Sequence, residues 1–277
     1  MIIDFHTHAF PAALAAKTIP MLAEKSGATP YTDGTAEDLI ARLREAGIDL
    51  GVVLPVVTRP GQFDSVNAFA AQLCEYEGLL SFGGIHPDDE TPEEHLRKIR
   101  DMGLRGVKIH PDYQGVYIDD PRYIRIGREA VRLGLILITH AGVDDGFPEE
   151  THCPPERAAR FVDAVQKGNA DAAGKLVFAH GGGNRQFADV IRCLAGRDVY
   201  FDLSYILSYA SPETVMNLIR AHGAGKILFG TDCPWGDPAA FVRFVGELPL
   251  TEDEREDIFH RNAERLLFGK EKNSTLQ

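Results

Sequence analysis

Two histidines one residue apart, His6 and His8, follow Asp4 at the start of the chain. On an extended strand, residues i and i+2 point to the same side. Two neutral imidazoles held that way can bind one borderline cation such as zinc. A pair of hydrogen-bonded histidines in a polar loop would read the same, so the pair matters only with company. That company is Thr139-His140-Ala-Gly, Ala179-His180-Gly-Gly-Gly and Gly230-Thr231-Asp232-Cys-Pro-Trp235. Asp232 is a carboxylate ending an apolar run, where a charge must be paired or ligated. Three imidazoles and one carboxylate from this set supply the three or four ligands of a catalytic metal site with one position open to water. The glycines at 181–183 lack the Lys-Ser/Thr ending of a phosphate loop and read instead as close backbone approach.

These residues need elements that bring them together. Eight short apolar runs fit strands: Ile2–His6, Gly51–Val57, Leu80–His86, Gly106–His110, Leu135–His140, Lys175–His180, Val199–Leu203 and Lys226–Thr231. Each is apolar almost throughout, as parallel strands buried on both faces are. Helical segments with recognisable caps lie between them, including Thr35 to Gly47, Thr91 to Gly103, Asp120 to Gly134 and Ser211 to Gly223. Another begins at Asp237, and Thr251 starts a terminal helix to about Phe268. Eight strand–helix units are the count of a single (β/α)8 TIM barrel. An open doubly wound sheet uses the same alternation, but no Gly-x-Gly-x-x-Gly follows the first strand. Of ten histidines, His6, His8, His86, His110, His140 and His180 fall at or just past strand ends, which converge on one mouth in a barrel. His95, His222 and His260 sit among polar helical neighbours and read as surface residues, and His152 lies in a loop.

Length and composition agree with one catalytic domain over residues 1–269 and a flexible tail over 270–277. The 277 residues carry 29 basic against 41 acidic side chains, a net charge of −12. That balance is not the basic patch of a nucleic-acid binder. No apolar run approaches a membrane span, which needs about 20 residues. The strand and the Asp4 motif at the start leave no room for a leader, so a cytoplasmic location is expected. The four cysteines, Cys74, Cys153, Cys193 and Cys233, form no C-x-x-C pair and read as free thiols. A small-molecule substrate is the expected partner; a homo-oligomer is compatible with the sequence but not specified by it. Two long connections, residues 9–34 and 141–154, leave strand C-termini and read equally as substrate walls or as surface excursions.

Asp4-Phe-His-Thr-His, Thr139-His140, Ala179-His180-Gly-Gly and Gly230-Thr231-Asp232-Cys-Pro-Trp together resemble the amidohydrolase superfamily. They look most like its amidohydrolase-related branch, which includes aminocarboxymuconate semialdehyde decarboxylase, and Asn262-Ala-Glu-Arg-Leu-Leu-Phe fits the same branch. The resemblance spans essentially the whole chain. It implies a barrel enzyme of the metallo-dependent hydrolase type with one divalent metal, usually zinc, ligated by His6, His8, His140 and Asp232. His180 would stand beside the metal as a catalytic residue. Some branches of the superfamily carry a carboxylated lysine at the position of Lys108 that bridges two metals; the branch resembled here is mononuclear.

The leading expectation is metal-assisted hydrolysis of an amide, ester, lactone or C–C bond. A bound metal lowers the pKa of water from about 15.7 towards 7. Asp232 would then take the proton, and His180 would polarise the carbonyl, a role worth roughly 10²–10³ in rate. The alternative is non-oxidative decarboxylation of an unsaturated or aromatic acid, which wants a cation for the carboxylate; Lys108, Arg157 and Arg185 are available. A barrel that binds metal without turnover is disfavoured because every expected position is filled. Lys108, His110, His86, Arg185 and Trp235 are the substrate-binding candidates, with Phe10, Tyr113, Tyr205 and Tyr209 as further aromatic wall.

Overall fold

The computed structural model describes residues 1–168 and 174–269. The tail expected over 270–277 lies outside the described residues. All eight apolar runs are parallel strands. They are β1 (Ile3–Thr7), β2 (Leu50–Val53), β3 (Leu79–Ser81) with β4 (Gly83–Gly84), β5 (Gly106–Ile109), β6 (Ile136–Thr139), β7 (Leu176–Phe178), β8 (Tyr200–Asp202) and β9 (Ile227–Leu228). The third run is cut in two at Phe82, so the ladder reads β1-β2-β3 and β4 through β9 in order. Asn67 occupies the break, accepting the Gly84 N–H at 2.9 Å and donating to the Gly84 carbonyl at 3.0 Å.

First and last strands meet through main-chain hydrogen bonds that bring the ring round. Phe5 N–H donates to Phe229 O at 2.9 Å, Asp232 N–H to His6 O at 2.8 Å and His8 N–H to Cys233 O at 2.7 Å. Asp4 reinforces this seam from inside the fold. Its buried carboxylate accepts the Thr231 hydroxyl at 2.6 Å and the Thr231 N–H at 3.0 Å. The outer helices follow the caps read from sequence: Ala36–Glu45, Pro92–Asp101, Pro121–Arg132, Pro212–His222 and Pro238–Glu247. The inner core is a separate cluster of Ile3, Phe5, Val52, Leu54, Phe82, Ile136, Ile138, Val177 and Leu228. Ala263, Leu266 and Leu267 of the terminal helix (Asn262–Phe268) close it from below.

Three local features depart from the sequence reading. Strict alternation on β1 cannot put Ile3 and Phe5 in the inner core and also turn His6 and His8 to the mouth. A register irregularity between Asp4 and Thr7 resolves the conflict, a bulge being the usual device for re-aiming a side chain. Residues 9–34, read as a connection, contain helix α1 (Ala12–Ser26), which continues through Pro20 and stops at left-handed Gly27. His222, read as a surface residue, is buried: its ring stacks on Phe201 at 3.9 Å. Its Nδ1 accepts the Gly196 N–H at 3.1 Å and its Nε2 donates to Val199 O at 3.0 Å. His95 stacks on Phe63 at 3.8 Å and pairs with Asp89, and His260 pairs with Glu264, so neither is free in solvent. Polar neighbours on a helix do not report what packs over the last turn.

Burial lowers the His222 pKa from 6.5 to about 4. The unfolded chain therefore binds more protons between those values, and stability is lost as pH falls from about 6.5 towards 4. Replacing His222 by Gln should flatten the pH dependence of urea unfolding across that window by on the order of 3 kcal/mol relative to wild type. An identical slope in the two proteins would show that His222 stays solvated.

Candidate active site

His6 and His8 arrive from β1 and the residue after it; Asp232 arrives four residues beyond β9. The Nε2 atoms of His6 and His8 lie 3.2 and 3.0 Å from Asp232 Oδ1. Each ring is held from behind. His6 Nδ1 is 2.8 Å from Asp202 Oδ2, and His8 Nδ1 is 2.9 Å from the Leu54 carbonyl. Because a carboxylate and a carbonyl only accept, both Nδ1 atoms carry a proton, which in a neutral ring leaves Nε2 as the nitrogen with the lone pair. Burial, with the Lys108 ammonium nearby, lowers the His6 pKa to about 3, so that ring is neutral near pH 7. With both rings neutral, two lone pairs face one carboxylate oxygen, an arrangement that positive charge between them relieves. Lys108 Nζ, 3.4 Å from His6 Nε2, supplies part of that charge.

A divalent ion fits this donor set. Two imidazole nitrogens and one carboxylate oxygen are standard catalytic zinc donors and also suit manganese. Asp202 behind His6 is the carboxylate that commonly orients a metal-binding imidazole. His140, beyond β6, is near but turned differently. Its Nδ1 is 3.0 Å from His180 Nε2, while its Nε2 faces Asp112 and Asp144. His180 is fixed through its Nδ1, 3.1 Å from the Ser204 carbonyl, and its own N–H donates to Asp202 at 2.9 Å. Both His180 and Asp232 adopt left-handed backbone, φ 57° and 66°, as does Tyr205 at 59°. For non-glycine residues such strain costs on the order of 1 kcal/mol or more each and persists only where packing imposes it.

The mouth opens into a cavity of about 590 Å³. His6, His8, His140, His180 and Asp232 sit together on its wall, and Lys108, His110 and Trp235 line it as well. Phe10, Tyr113 and Tyr205 contribute aromatic surface, and α1 covers one side through Leu14, Thr18 and Leu22. Two substrate-binding candidates are not on the described wall. His86 spends its Nδ1 on the Asp88 N–H at 3.1 Å. Arg185 is held by Asp145 and by the Tyr209 hydroxyl at 2.6 Å, and stands behind Asp145 at the rim. Arg157 pairs with Asp119 at 2.7 Å and stacks on Tyr117. Asp202, Ser204 and Asp112 escaped the sequence reading. Asp202 ends an apolar strand as a buried carboxylate, the same signal that singled out Asp232, and was detectable on that ground.

The family model described as amidohydrolase matches residues 3–269. A 2-amino-3-carboxymuconate-6-semialdehyde decarboxylase of Dictyostelium discoideum is 26% identical over 210 residues, 63% of this chain. The match covers 56% of that relative, so the chain spans little more than half of its length. Among solved structures, 5-carboxyvanillate decarboxylase from Sphingomonas paucimobilis has a TM-score of 0.70 at 16% identity, over 96% of this chain and 98% of that one. The 5-carboxyvanillate decarboxylase of Novosphingobium aromaticivorans, complexed with manganese and 4-hydroxy-3-methoxy-5-nitrobenzoic acid, has a TM-score of 0.69 at 16% identity, over 96% of each chain. At these identities the structural likeness is one of fold.

Asp202→Asn replaces the acceptor behind His6 with a group of the same shape that no longer demands the Nδ1 proton. It should weaken zinc binding about 10- to 100-fold, measured by chelator competition on the purified protein. Unchanged zinc affinity would remove Asp202 from the site.

Proposed function

The chain belongs to the amidohydrolase family, and from that membership we propose that it is a metal-dependent decarboxylase acting on a small unsaturated or aromatic carboxylic acid. The observation that carries the reading is the position of Lys108. Among the described residues lining a largely apolar cavity it is the one Lys or Arg, and it sits beside the His6–His8–Asp232 cluster. An acid bound there places its carboxylate between the cluster and the ammonium while its unsaturated body lies against Phe10, Tyr113, Leu54 and Trp235. The named relatives are decarboxylases, which supports this reading over the hydrolysis expected from sequence. The motifs themselves serve either reaction, because both need the same cluster; the cavity wall is what favours a carboxylate.

A divalent ion held by His6, His8, His140 and Asp232 would supply a Lewis acid for the substrate oxygens. Manganese in the Novosphingobium structure is consistent with a divalent ion other than zinc as well. The apolar wall strips water from the carboxylate, which costs the charged ground state more than the spread charge that follows C–C cleavage. Lys108 offsets that cost at binding through a charge-assisted hydrogen bond. Cleavage releases CO2 and leaves its electron pair on the substrate carbon, which must then accept a proton. We assign that proton to His180. Its Nδ1 proton is committed to the Ser204 carbonyl, so its bare Nε2 is the atom that would take up a proton from solvent and pass it to the carbon.

Incubation with a panel of hydroxybenzoates and unsaturated acids should release one CO2 per substrate consumed, and chelation followed by zinc or manganese addition should abolish and restore it. Turnover of amides, esters or lactones in labelled water, with label in the product and no CO2, would replace this proposal with hydrolysis. Lys108→Met should raise KM for the acid about 10- to 100-fold, the equivalent of a charged hydrogen bond worth roughly 1.5–3 kcal/mol. A KM within twofold of wild type would show that Lys108 does not meet the carboxylate.

A further inference from the structure

Two buried polar atoms outside the His6–His8–Asp232 cluster face one another with no hydrogen-bond partner: His140 Nε2 and Asp112 Oδ2, 3.7 Å apart. His140 is 4% and Asp112 3% exposed. The Asp112 carboxylate is anchored through its other oxygen, which accepts the His152 N–H at 2.9 Å and lies 3.1 Å from His152 Nδ1. Its free oxygen is thereby aimed at His140. The His140 ring is clamped on its flat side by His110, stacked at 4.3 Å with 10° between the planes.

That stack decides what this corner can hold. His110 Nε2 is 3.4 Å and His140 Nε2 3.9 Å from Asp144 Oδ2, close enough to suggest a second metal. An ion shared by two imidazoles must lie near the plane of both, and nearly parallel planes a stacking distance apart have no such common point beside their nitrogens. A proton on His140 Nε2, directed at Asp112, gives both orphaned atoms an electrostatic partner 3.7 Å away. Asp144 is the weaker acceptor here, since its Oδ2 is 3.9 Å away and lies nearer to His110 Nε2, at 3.4 Å.

We propose that Asp112 is a positioning residue that holds His140 as the Nε2–H tautomer, so that bare Nδ1 is the atom offered to the metal. The opposite side of the ring agrees. His180 Nε2 is also bare, because its Nδ1 is committed to the Ser204 carbonyl, and it stands 3.0 Å from His140 Nδ1. Two facing lone pairs ask for a cation, as they do at His6 and His8. The inference rests on the metal reading above and is independent of whether the enzyme decarboxylates or hydrolyses.

The test uses the full chain, zinc-loaded and labelled with 15N-histidine. Long-range 1H–15N correlation, with the His140 signals assigned by their loss in His140→Gln, should show the proton on Nε2 and zinc on Nδ1. Asp112→Asn presents an amide N–H to Nε2 and favours the other tautomer. Its zinc Kd, read by chelator competition, should rise about 10- to 100-fold, while the zinc-free variant unfolds at the same denaturant concentration as zinc-free wild type. Zinc on Nε2, or a variant Kd within threefold of wild type, overturns the proposal alone. Two zinc ions per wild-type chain, with one lost in Asp112→Asn, overturns it in favour of a second metal site. Failure of the wild type to bind stoichiometric zinc overturns the metal reading with it. Should the variant not fold, the wild-type spectrum decides by itself.

Discussion

The seam between the first and last strands is the constraint from which the rest of the site follows. His8 and Asp232 are separated by 224 residues, yet their side chains meet at 3.0 Å. They do so because Phe5, His6 and His8 pair main chain to main chain with Phe229, Asp232 and Cys233. Asp4 adds a buried carboxylate whose two oxygens are both occupied by Thr231. Every other ligand candidate hangs from an intermediate strand, so its position depends on the ring being brought round at this one place. The bulge between Asp4 and Thr7 belongs to the same constraint: it lets one short strand feed both the inner core and the mouth.

Around that seam, imidazoles are oriented by acceptors behind them. Asp202 stands behind His6, the Leu54 carbonyl behind His8 and the Ser204 carbonyl behind His180. Asp202 also takes the main-chain N–H groups of His180 and Ser204, so a single carboxylate ties the His6 ring to the backbone that carries His180. The consequence is electrostatic. Inner nitrogens that carry no proton converge on each other and on Asp232, an arrangement unfavourable by itself and favourable around a cation. Left-handed backbone at His180 and Asp232 shows that the surrounding packing holds these residues against their own preference.

Chemistry beyond metal binding is set by the walls rather than by the motif. The cavity combines aromatic and aliphatic surface from α1 and the strand-end loops with Lys108, the one Lys or Arg among the described residues that line it. Arg185, the other basic candidate near the mouth, is paired with Asp145 at the rim, and the Tyr205 and Tyr209 hydroxyls donate to that same carboxylate. On the proposed decarboxylase reading, a carboxylate entering this space would find positive charge at Lys108, beside the cluster.

Much of this was legible in order along the chain. Eight apolar runs, their intervening caps and the recurrence of histidine at strand ends follow from local periodicity, which is a property of neighbouring residues. His6, His8, His180 and Asp232 could be singled out for the same reason: a polar group ending an apolar strand must be doing something there. What neighbouring residues do not encode is which groups meet across a ring. Asp112 against His140, Asp202 behind His6, the burial of His222 on Phe201, and the absence of His86 and Arg185 from the described wall all depend on contacts between distant segments. Helix α1 escaped notice because its value lies in covering the mouth, not in a strong periodic pattern of its own. The sequence by itself determined the strands, their alternation with helices and the chemical types at their ends. Only the tertiary structure decided which nitrogen of each imidazole faces inward, because that choice belongs to the acceptor behind the ring, and the acceptor comes from another strand.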